Sequence, residues 1–137
     1  MRAARHRSHV RALVAWSIAL LLLICPLPAF AHARLVRSSP ASQAQVAAPP
    51  EHIELWFSEL LEEGFNSVEV VRAAELPAKH HTNLAQGTPT VDRADRTHMM
   101  VPVQRLAPGS YSVEWRVLSR DGHSATGRFT FQIRTPQ

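Results

Sequence analysis

The stretch YSVEWRVLSRDGHSATGRFTFQI, at residues 111–133, decides the fold of this chain. Apolar and polar side chains alternate along its first eight residues and again along its last eight. Such a period of two is typical of strands that bury one face. The dipeptide Asp121-Gly122 between the two runs is a turn signal, because glycine accepts positive φ and aspartate caps its own backbone. The stretch therefore predicts a β-hairpin with strands over Tyr111–Leu118 and Thr126–Ile133.

Shorter runs with the same alternation occur upstream, at residues 53–57, 68–70 and 101–103. Pro102 lies inside the last of them, and we expect that strand at a sheet edge, where no ladder donor is needed. The segment Ala74–Asp95 is polar, contains two prolines and a glycine, and is predicted to be one long loop. Short strands with turns between them, and no convincing apolar period of 3.6 residues, indicate an all-β domain. We predict a Greek-key β-sandwich or small β-barrel.

The first 31 residues have the organisation of a secretory signal peptide. Four arginines precede an apolar run over Leu13–Ile24 that only Ser17 interrupts, and Ala29-Phe30-Ala31 supplies a small-x-small cleavage signature. The apolar run is shorter than the roughly 20 residues that a membrane-spanning helix needs. We therefore predict a signal peptide at residues 1–31, one domain at residues 32–137, and export to the periplasm.

Removal of the signal peptide changes the charge and the thiol content of the chain. Four of the 15 lysines and arginines lie in it, which leaves 11 basic against 11 acidic residues. The predicted mature domain has no basic stripe, so we expect no nucleic-acid binding. Cys25 is the only cysteine and also lies in the signal, so any metal site must use nitrogen, oxygen or thioether donors. Neither a Gly-x-Ser-x-Gly elbow nor a phosphate-binding glycine loop occurs.

Three residues are candidates for a metal site. Cleavage after Ala31 would make His32 the first residue, and its free amine and ring nitrogen together can chelate a metal ion. In the predicted hairpin, Asp121 and His123 are two positions apart, so in an extended stretch their side chains leave on the same side. A carboxylate oxygen and an imidazole nitrogen would then converge on one point. An Asp-Gly connection by itself indicates only a tight turn, and the histidine is what adds the metal-binding interpretation.

The order and spacing of these motifs, over nearly the whole predicted mature chain, resemble the CopC family of copper-resistance proteins. The residues that carry the resemblance are His32-Ala33-x-Leu35, Ser39-Pro40, Ile53-Glu54-Leu55-x-Phe57-Ser58-Glu59, Gly109-x-Tyr111-x-Val113-x-Trp115-Arg116, Ser119-x-Asp121-Gly122-His123 and Gly127-x-Phe129-x-Phe131.

The resemblance implies a Greek-key β-barrel, described as cupredoxin-like or immunoglobulin-like, that carries Cu(II) in the periplasm. It implies Cu(II) ligation by His32 through its amine and ring nitrogen, by Asp121 through a carboxylate oxygen and by His123 through its ring. Glu59 matches an acidic residue that lies near this site in the family. The resemblance therefore makes Glu59 a candidate to contact the ligands without binding the ion itself. The resemblance also implies a separate inner-membrane partner similar to CopD. We expect the protein to be a monomer.

The chemistry of these donors supports Cu(II) independently of the resemblance. Cu(II) has the highest affinity in the series of divalent ions and favours tetragonal nitrogen and oxygen ligation. The amine and Nδ1 of one histidine close a six-membered chelate ring. Because the amine and the imidazoles must lose protons to bind, we expect affinity to fall with pH from about 8 to below about 6.5.

Some family members also have a methionine-rich Cu(I) site, which this sequence does not reproduce. The predicted long loop has no methionine, and its pair His80-His81 is a weak metal candidate. Met99 and Met100 are adjacent on a predicted strand, so we expect one to be buried and one exposed. His98 beside them is a possible soft-metal ligand.

Two other classes of function stay open from the sequence. One is a copper-dependent oxidative enzyme, because polysaccharide monooxygenases also chelate copper with an N-terminal histidine. Here Asp121 would occupy an equatorial position that oxygen needs, so we do not expect an enzyme. The other is an immunoglobulin-like interaction module without a metal, for which His32 would be a coincidence.

Overall fold

The runs with a period of two lie in strands, as predicted. The computed structural model describes residues 33–76 and 80–135. Its strands are β1 (Leu35–Ser39), β2 (Gln45–Val46), β3 (His52–Phe57), β4 (Ser67–Arg72), β5 (Thr90–Val91), β6 (His98–Pro102), β7 (Gly109–Leu118) and β8 (Ser124–Ile133). A short 3-10 helix, Ala73–Glu75, follows β4, and the described residues contain no α-helix.

The strands form two four-stranded sheets that enclose one core. The first sheet has the order β1-β3-β6-β5 and the second has the order β2-β8-β7-β4. The chain passes repeatedly from one sheet to the other, and all pairings are antiparallel except that of β2 with β8. The prediction of an all-β sandwich with Greek-key-like connections is therefore confirmed.

The hairpin of β7 and β8 is the longest paired element, with ten residue pairs from Gly109–Ile133 to Leu118–Ser124. Alternate residues of both strands face the first sheet and are buried. Trp115 is paired with Gly127 and meets Phe57 of the first sheet edge to face, with ring centroids 5.0 Å apart. An aromatic contact of this kind joins the two layers of the sandwich.

The connection before β7 is held by a buried phenol. Tyr111 is fully buried, and its hydroxyl donates a 2.6 Å hydrogen bond to the carbonyl oxygen of Ala107. A tyrosine that bonds back to the backbone a few residues upstream is a recurrent corner device in immunoglobulin-like sandwiches.

The structure corrects two details of the sequence prediction. The segment Ala74–Asp95 is not one structureless loop, because it contains the end of the 3-10 helix and the two-residue strand β5. Pro102 is not on an edge strand, since β6 lies between β3 and β5. The proline is tolerated there because β5 pairs only with Met99 and Met100, and beyond β5 Pro102 accepts the N–H of Gln86 with its carbonyl, a contact that needs no donor from the proline.

The predicted signal peptide, residues 1–31, lies outside the described residues. Within the part of the chain that the structure describes, no helix is long and apolar enough to cross a membrane.

Candidate metal centre

Asp121 and His123 lie together in the turn that joins β7 to β8. Their side chains meet, with His123 Nδ1 3.1 Å from Asp121 Oδ2. The backbone N–H of His123 also donates a 3.1 Å hydrogen bond to Asp121 Oδ1. Both side chains are exposed, at 53% for His123 and 42% for Asp121. The convergence expected from their spacing is therefore present, in a turn and not in an extended stretch.

The turn itself is closed by main-chain hydrogen bonds. The N–H of Ser119 donates to the carbonyl of His123, and the N–H of Gly122 donates to the carbonyl of Ser119, each at 2.9 Å. Gly122 has a φ of 88°, which glycine adopts without steric cost. The turn thus presents Asp121 and His123 with a defined backbone geometry.

The Asp121 carboxyl is held in its ionised form. Its pKa is lowered from the ordinary value of 3.8, first by the hydrogen bond from the His123 backbone N–H and next by the one from the His123 side chain. An exposed carboxylate that is ionised at neutral pH is ready to accept a cation.

The beginning of the described domain is attached to the same end of the sandwich. The N–H of Arg34 donates to Ser58 Oγ at 3.0 Å, and the N–H of Ser58 donates to the carbonyl of Arg34 at 2.9 Å. Ala33 is only 3% exposed and belongs to the core. The residue immediately after His32 is therefore fixed in the fold.

The segment Ser58–Asn66 connects this start to the Asp121–His123 turn. The N–H of Arg120 donates to the carbonyl of Leu60 at 2.9 Å, and Leu61 forms an isolated bridge with Ser119. Glu59, half-buried, is located between the residue that contacts Arg34 and the residue that contacts Arg120. The structure thus brings Glu59 to the end of the sandwich that carries Asp121 and His123.

Two polar side chains, the buried Asn66 and the half-buried Arg96, hold this segment in place. Asn66 donates from Nδ2 to the carbonyl of Glu62 at 2.6 Å and accepts the N–H of Leu118 at 3.0 Å. Arg96 donates from Nη2 to the carbonyl of Leu61 at 2.8 Å, and its Nη1 lies 3.6 Å from Glu63. Sequence reasoning did not find Asn66 or Arg96, because their partners are backbone groups that no motif records.

The remaining predicted ligand, His32, lies outside the described residues. Among the described residues, no three histidine, cysteine, aspartate or glutamate side chains converge on a common point. The donors at the turn nevertheless fit a metal ion. They are one imidazole nitrogen and one carboxylate oxygen, donor types that Cu(II) and Zn(II) take, and their hydrogen-bonding distance of 3.1 Å brings both within reach of one ion.

The weaker metal candidates are scattered through the structure. Met99 is fully buried in the core and Met100 is 37% exposed, which confirms that they face opposite sides of β6. His81 lies 3.5 Å from Glu69, and His80 is exposed. His98 is buried, and the sequence did not predict its partners, which come from separate elements.

Comparison with known proteins gives the family. A family model for the CopC domain matches residues 35–134. The chain is 37% identical over 105 residues to copper resistance protein C of Pseudomonas syringae pv. tomato, with 76% of this chain and 82% of that protein covered. It is 33% identical over 122 residues to the copper transport protein CutJ of Bacillus subtilis (strain 168), covering 86% of this chain and 21% of CutJ.

The fold is also that of a solved CopC. The crystal structure of CopC from Methylosinus trichosporium OB3b superimposes with a TM-score of 0.68 at 26% identity, covering 77% of this chain and 97% of that one. The chain belongs to the CopC family. Its class is thus that of copper-resistance proteins and not of enzymes, in agreement with the prediction from the sequence.

Proposed function

We propose that this protein binds Cu(II) outside the cytoplasm and buffers or delivers it, with a role in copper resistance. The observation that carries the proposal is the contact of Asp121 and His123 at the same end of the sandwich as Ala33. In the proposal, a signal peptidase removes residues 1–31, and the new N-terminus donates its amine and ring nitrogen from His32. Asp121 and His123 supply one carboxylate oxygen and one ring nitrogen to the same ion.

The burial of Ala33 supports a chelate that is organised before copper arrives. A terminal residue that follows a free, mobile tail would lose conformational entropy when it binds a metal. Here the next residue is already in the core and Arg34 is hydrogen bonded to Ser58. Folding therefore fixes the two residues that directly follow His32 in the chain.

Glu59 has a role beside the ligands in this proposal. It lies between the two backbone attachments that bring the N-terminal residues and the turn together. A carboxylate there adds negative charge next to a divalent cation and accepts hydrogen bonds from groups bound to it. Glu59 would therefore orient donors and raise affinity without carrying the ion itself.

A copper-transport polypeptide is the proposed partner. In CutJ, a segment similar to this chain makes up about a fifth of a longer protein named for copper transport. When a segment is part of a transport protein in one organism, a separate protein similar to that segment can be expected to bind a transport protein in another organism. We therefore propose that this protein exchanges copper with an inner-membrane protein similar to CopD, itself acting as a monomer.

The test isolates the terminal amine. Lys79 is the only lysine of the chain, so Lys79→Arg leaves the amine of His32 as the only primary amine after processing. Acetylation of this variant then removes one proposed donor and changes no side chain. We expect the acetylated form to bind Cu(II) at least tenfold more weakly than the unmodified variant in a competition titration with a chelator of known affinity.

Two controls make the result decisive. Mass spectrometry of the exported protein must give His32 as the first residue, and far-UV circular dichroism must show the same fold before and after acetylation. Equal affinity of the two forms, or an exported chain that begins elsewhere, would remove the amine from the site and end the proposal.

A further inference from the structure

The outer face of the first sheet carries a buried imidazole that the proposed function does not use. His98 of β6 is paired with Trp56 of β3, and their rings stack with centroids 4.3 Å apart and 6° between the planes. The guanidinium of Arg37, on β1, lies 3.7 Å from the centre of the Trp56 ring. Because β1 and β6 flank β3 on opposite sides, the indole separates this cation from the imidazole.

Both ring nitrogens of His98 face carboxylates. Nε2 lies 3.0 Å from Oε2 of Glu54, and Nδ1 lies 3.6 Å from Oδ2 of Asp92. The His98 side chain is only 8% exposed. Its Nε2 nevertheless has no hydrogen-bond partner, although a carboxylate oxygen is so near. A buried nitrogen of this kind needs an explanation.

A hydrogen bond from a protonated His98 ring to the Glu54 carboxylate does not explain the position of Nε2. An imidazolium N–H beside a carboxylate forms a short, aligned, charge-assisted hydrogen bond, and alignment is what is missing at Nε2. Two ligands bound to one ion at about 2.0–2.1 Å and at right angles lie about 2.9 Å apart. The Nε2–Oε2 separation of 3.0 Å is close to this value, and the two atoms form no hydrogen bond with each other.

The surroundings complete the donor set. Asp92 at Nδ1 has the place of the carboxylate that orients a ligating histidine from behind. Met100 is directly opposite Glu54 in the pairing of β3 with β6, on the same outer face, and is 37% exposed. Its thioether is thus available next to Glu54 and accessible from solvent.

We propose that His98 Nε2 and the Glu54 carboxylate bind a first-row transition-metal dication, with the Met100 thioether as a further donor. Cu(II) is the favoured ion because it has the highest affinity for sites of this composition. No third imidazole, carboxylate or thiol in the described part of the chain joins these two ligands. The site is therefore weaker than the proposed Cu(II) centre, and it shares no residue with it.

The test uses a chain in which the other centre is removed by His32→Ala, Asp121→Ala and His123→Ala. Cu(II) and, separately, Zn(II) are added to this chain, and bound metal is counted by equilibrium dialysis. Trp56 is a built-in reporter, since Cu(II) bound at Nε2 would lie within a few ångströms of the indole that stacks on His98. We expect one bound Cu(II) per chain and quenching of tryptophan fluorescence, which Trp56→Phe abolishes.

Variants of the ligands decide the result. Glu54→Gln and His98→Asn should each weaken the quenching titration at least tenfold, and Met100→Leu should weaken it less. Glu114→Gln, which changes a carboxylate on the second sheet, is the control and should leave the titration unchanged. If His98→Asn fails to fold, Glu54→Gln and Met100→Leu carry the test, with urea unfolding to confirm that both are folded.

The opposite result is equally clear. If the triple variant shows no quenching with Cu(II), or if Glu54→Gln titrates like its parent chain, the inference is wrong and His98 is a proton-bearing member of an ion cluster. Because the triple variant lacks the proposed Cu(II) centre, this outcome would leave that centre untouched. Failure of the acetylation test would likewise leave the His98 site untouched.

Discussion

Gly127 shows how a single missing side chain sets the packing of the sandwich. It is paired with Trp115, whose indole covers it and reaches Phe57 of the other sheet. A Cβ atom at Gly127 would lie 2.6 Å from Cε2 of Trp115, with Cζ2 nearer still. Because Trp115 is buried and its ring meets Phe57, the indole has little room to move.

Gly127→Ala should therefore destabilise the domain by about 1–3 kcal/mol, the usual cost of overpacking. Urea unfolding followed by circular dichroism measures the change. Thr130→Ala, at an exposed position of the same strand, is the control and should fall within about 0.5 kcal/mol of the parent. Adding Trp115→Phe to Gly127→Ala should cost less than the sum of the two changes; simple additivity would contradict the overlap.

Asn66 attaches the end of the segment Ser58–Asn66 to the hairpin through a side-chain hydrogen bond. Asn66→Ala would leave the N–H of Leu118 without its side-chain acceptor and the carbonyl of Glu62 without its donor. We expect a loss of about 1–3 kcal/mol in the free energy of unfolding, and weaker Cu(II) binding because Glu59 lies in the same segment. Gln104→Ala, an exposed amide, is the control. Unchanged stability and unchanged affinity would show that the segment keeps its position without the two hydrogen bonds of the Asn66 side chain.

At the level of elements, the residues of the β7–β8 hairpin that stabilise the fold are different from the two residues proposed to bind copper. Its strands carry the core, whereas Asp121 and His123 are exposed in the turn. Changes to the turn side chains should therefore affect the metal and not the fold.

We expect Asp121→Asn and His123→Gln each to weaken Cu(II) binding at least tenfold in a competition titration, with unfolding midpoints close to the parent. Asparagine keeps an acceptor for the His123 N–H, so the turn geometry is preserved in the first variant. Ser124→Ala, at the first residue of β8, is the matched control. A variant that unfolds, or one that retains full affinity, would argue against this separation.

The elements also show what the sequence can predict. The strands with several alternating pairs were predicted, because their period of two is set by burial on one face. Strands β2 and β5 have two residues each, too few to show any period. Pro102 was misplaced because its permissive environment results from the shortness of β5 and not from an edge.

The candidate site also has features that the sequence could predict and features that it could not. The contact of Asp121 and His123 was predicted from the alternation of side chains in an extended stretch, although the structure forms it in a turn. The braces Asn66 and Arg96 were not predictable, because they bond to carbonyl and amide groups far away in sequence. The surroundings of His98 were missed for a similar reason, as Glu54, Trp56 and Asp92 come from separate segments.

For the whole molecule, the proposed site predicts that copper stabilises the fold. A ligand bound only by the native state adds about 2.7 kcal/mol when its free concentration is 100 times Kd. For a domain of this size, that corresponds to a rise in Tm on the order of 10 °C.

Differential scanning calorimetry of the processed protein with and without one equivalent of Cu(II) measures this rise. Removal of the metal with a strong chelator should return Tm to the apo value. The acetylated Lys79→Arg form should show a smaller rise than its unmodified parent. Equal rises for both forms would place the stabilising copper elsewhere on the molecule.

The burial of Ala33 limits when the proposed signal peptide could be removed. A protease needs an accessible, extended stretch on both sides of the bond that it cuts. In the folded domain, Ala33 is in the core and the N–H of Arg34 is hydrogen bonded, so almost no extended chain is left downstream of the proposed cleavage bond. Under the proposed function, hydrolysis at that bond would have to happen during translocation, before β1 joins its sheet, and only a chain cut in time would acquire the amine that is proposed to bind copper.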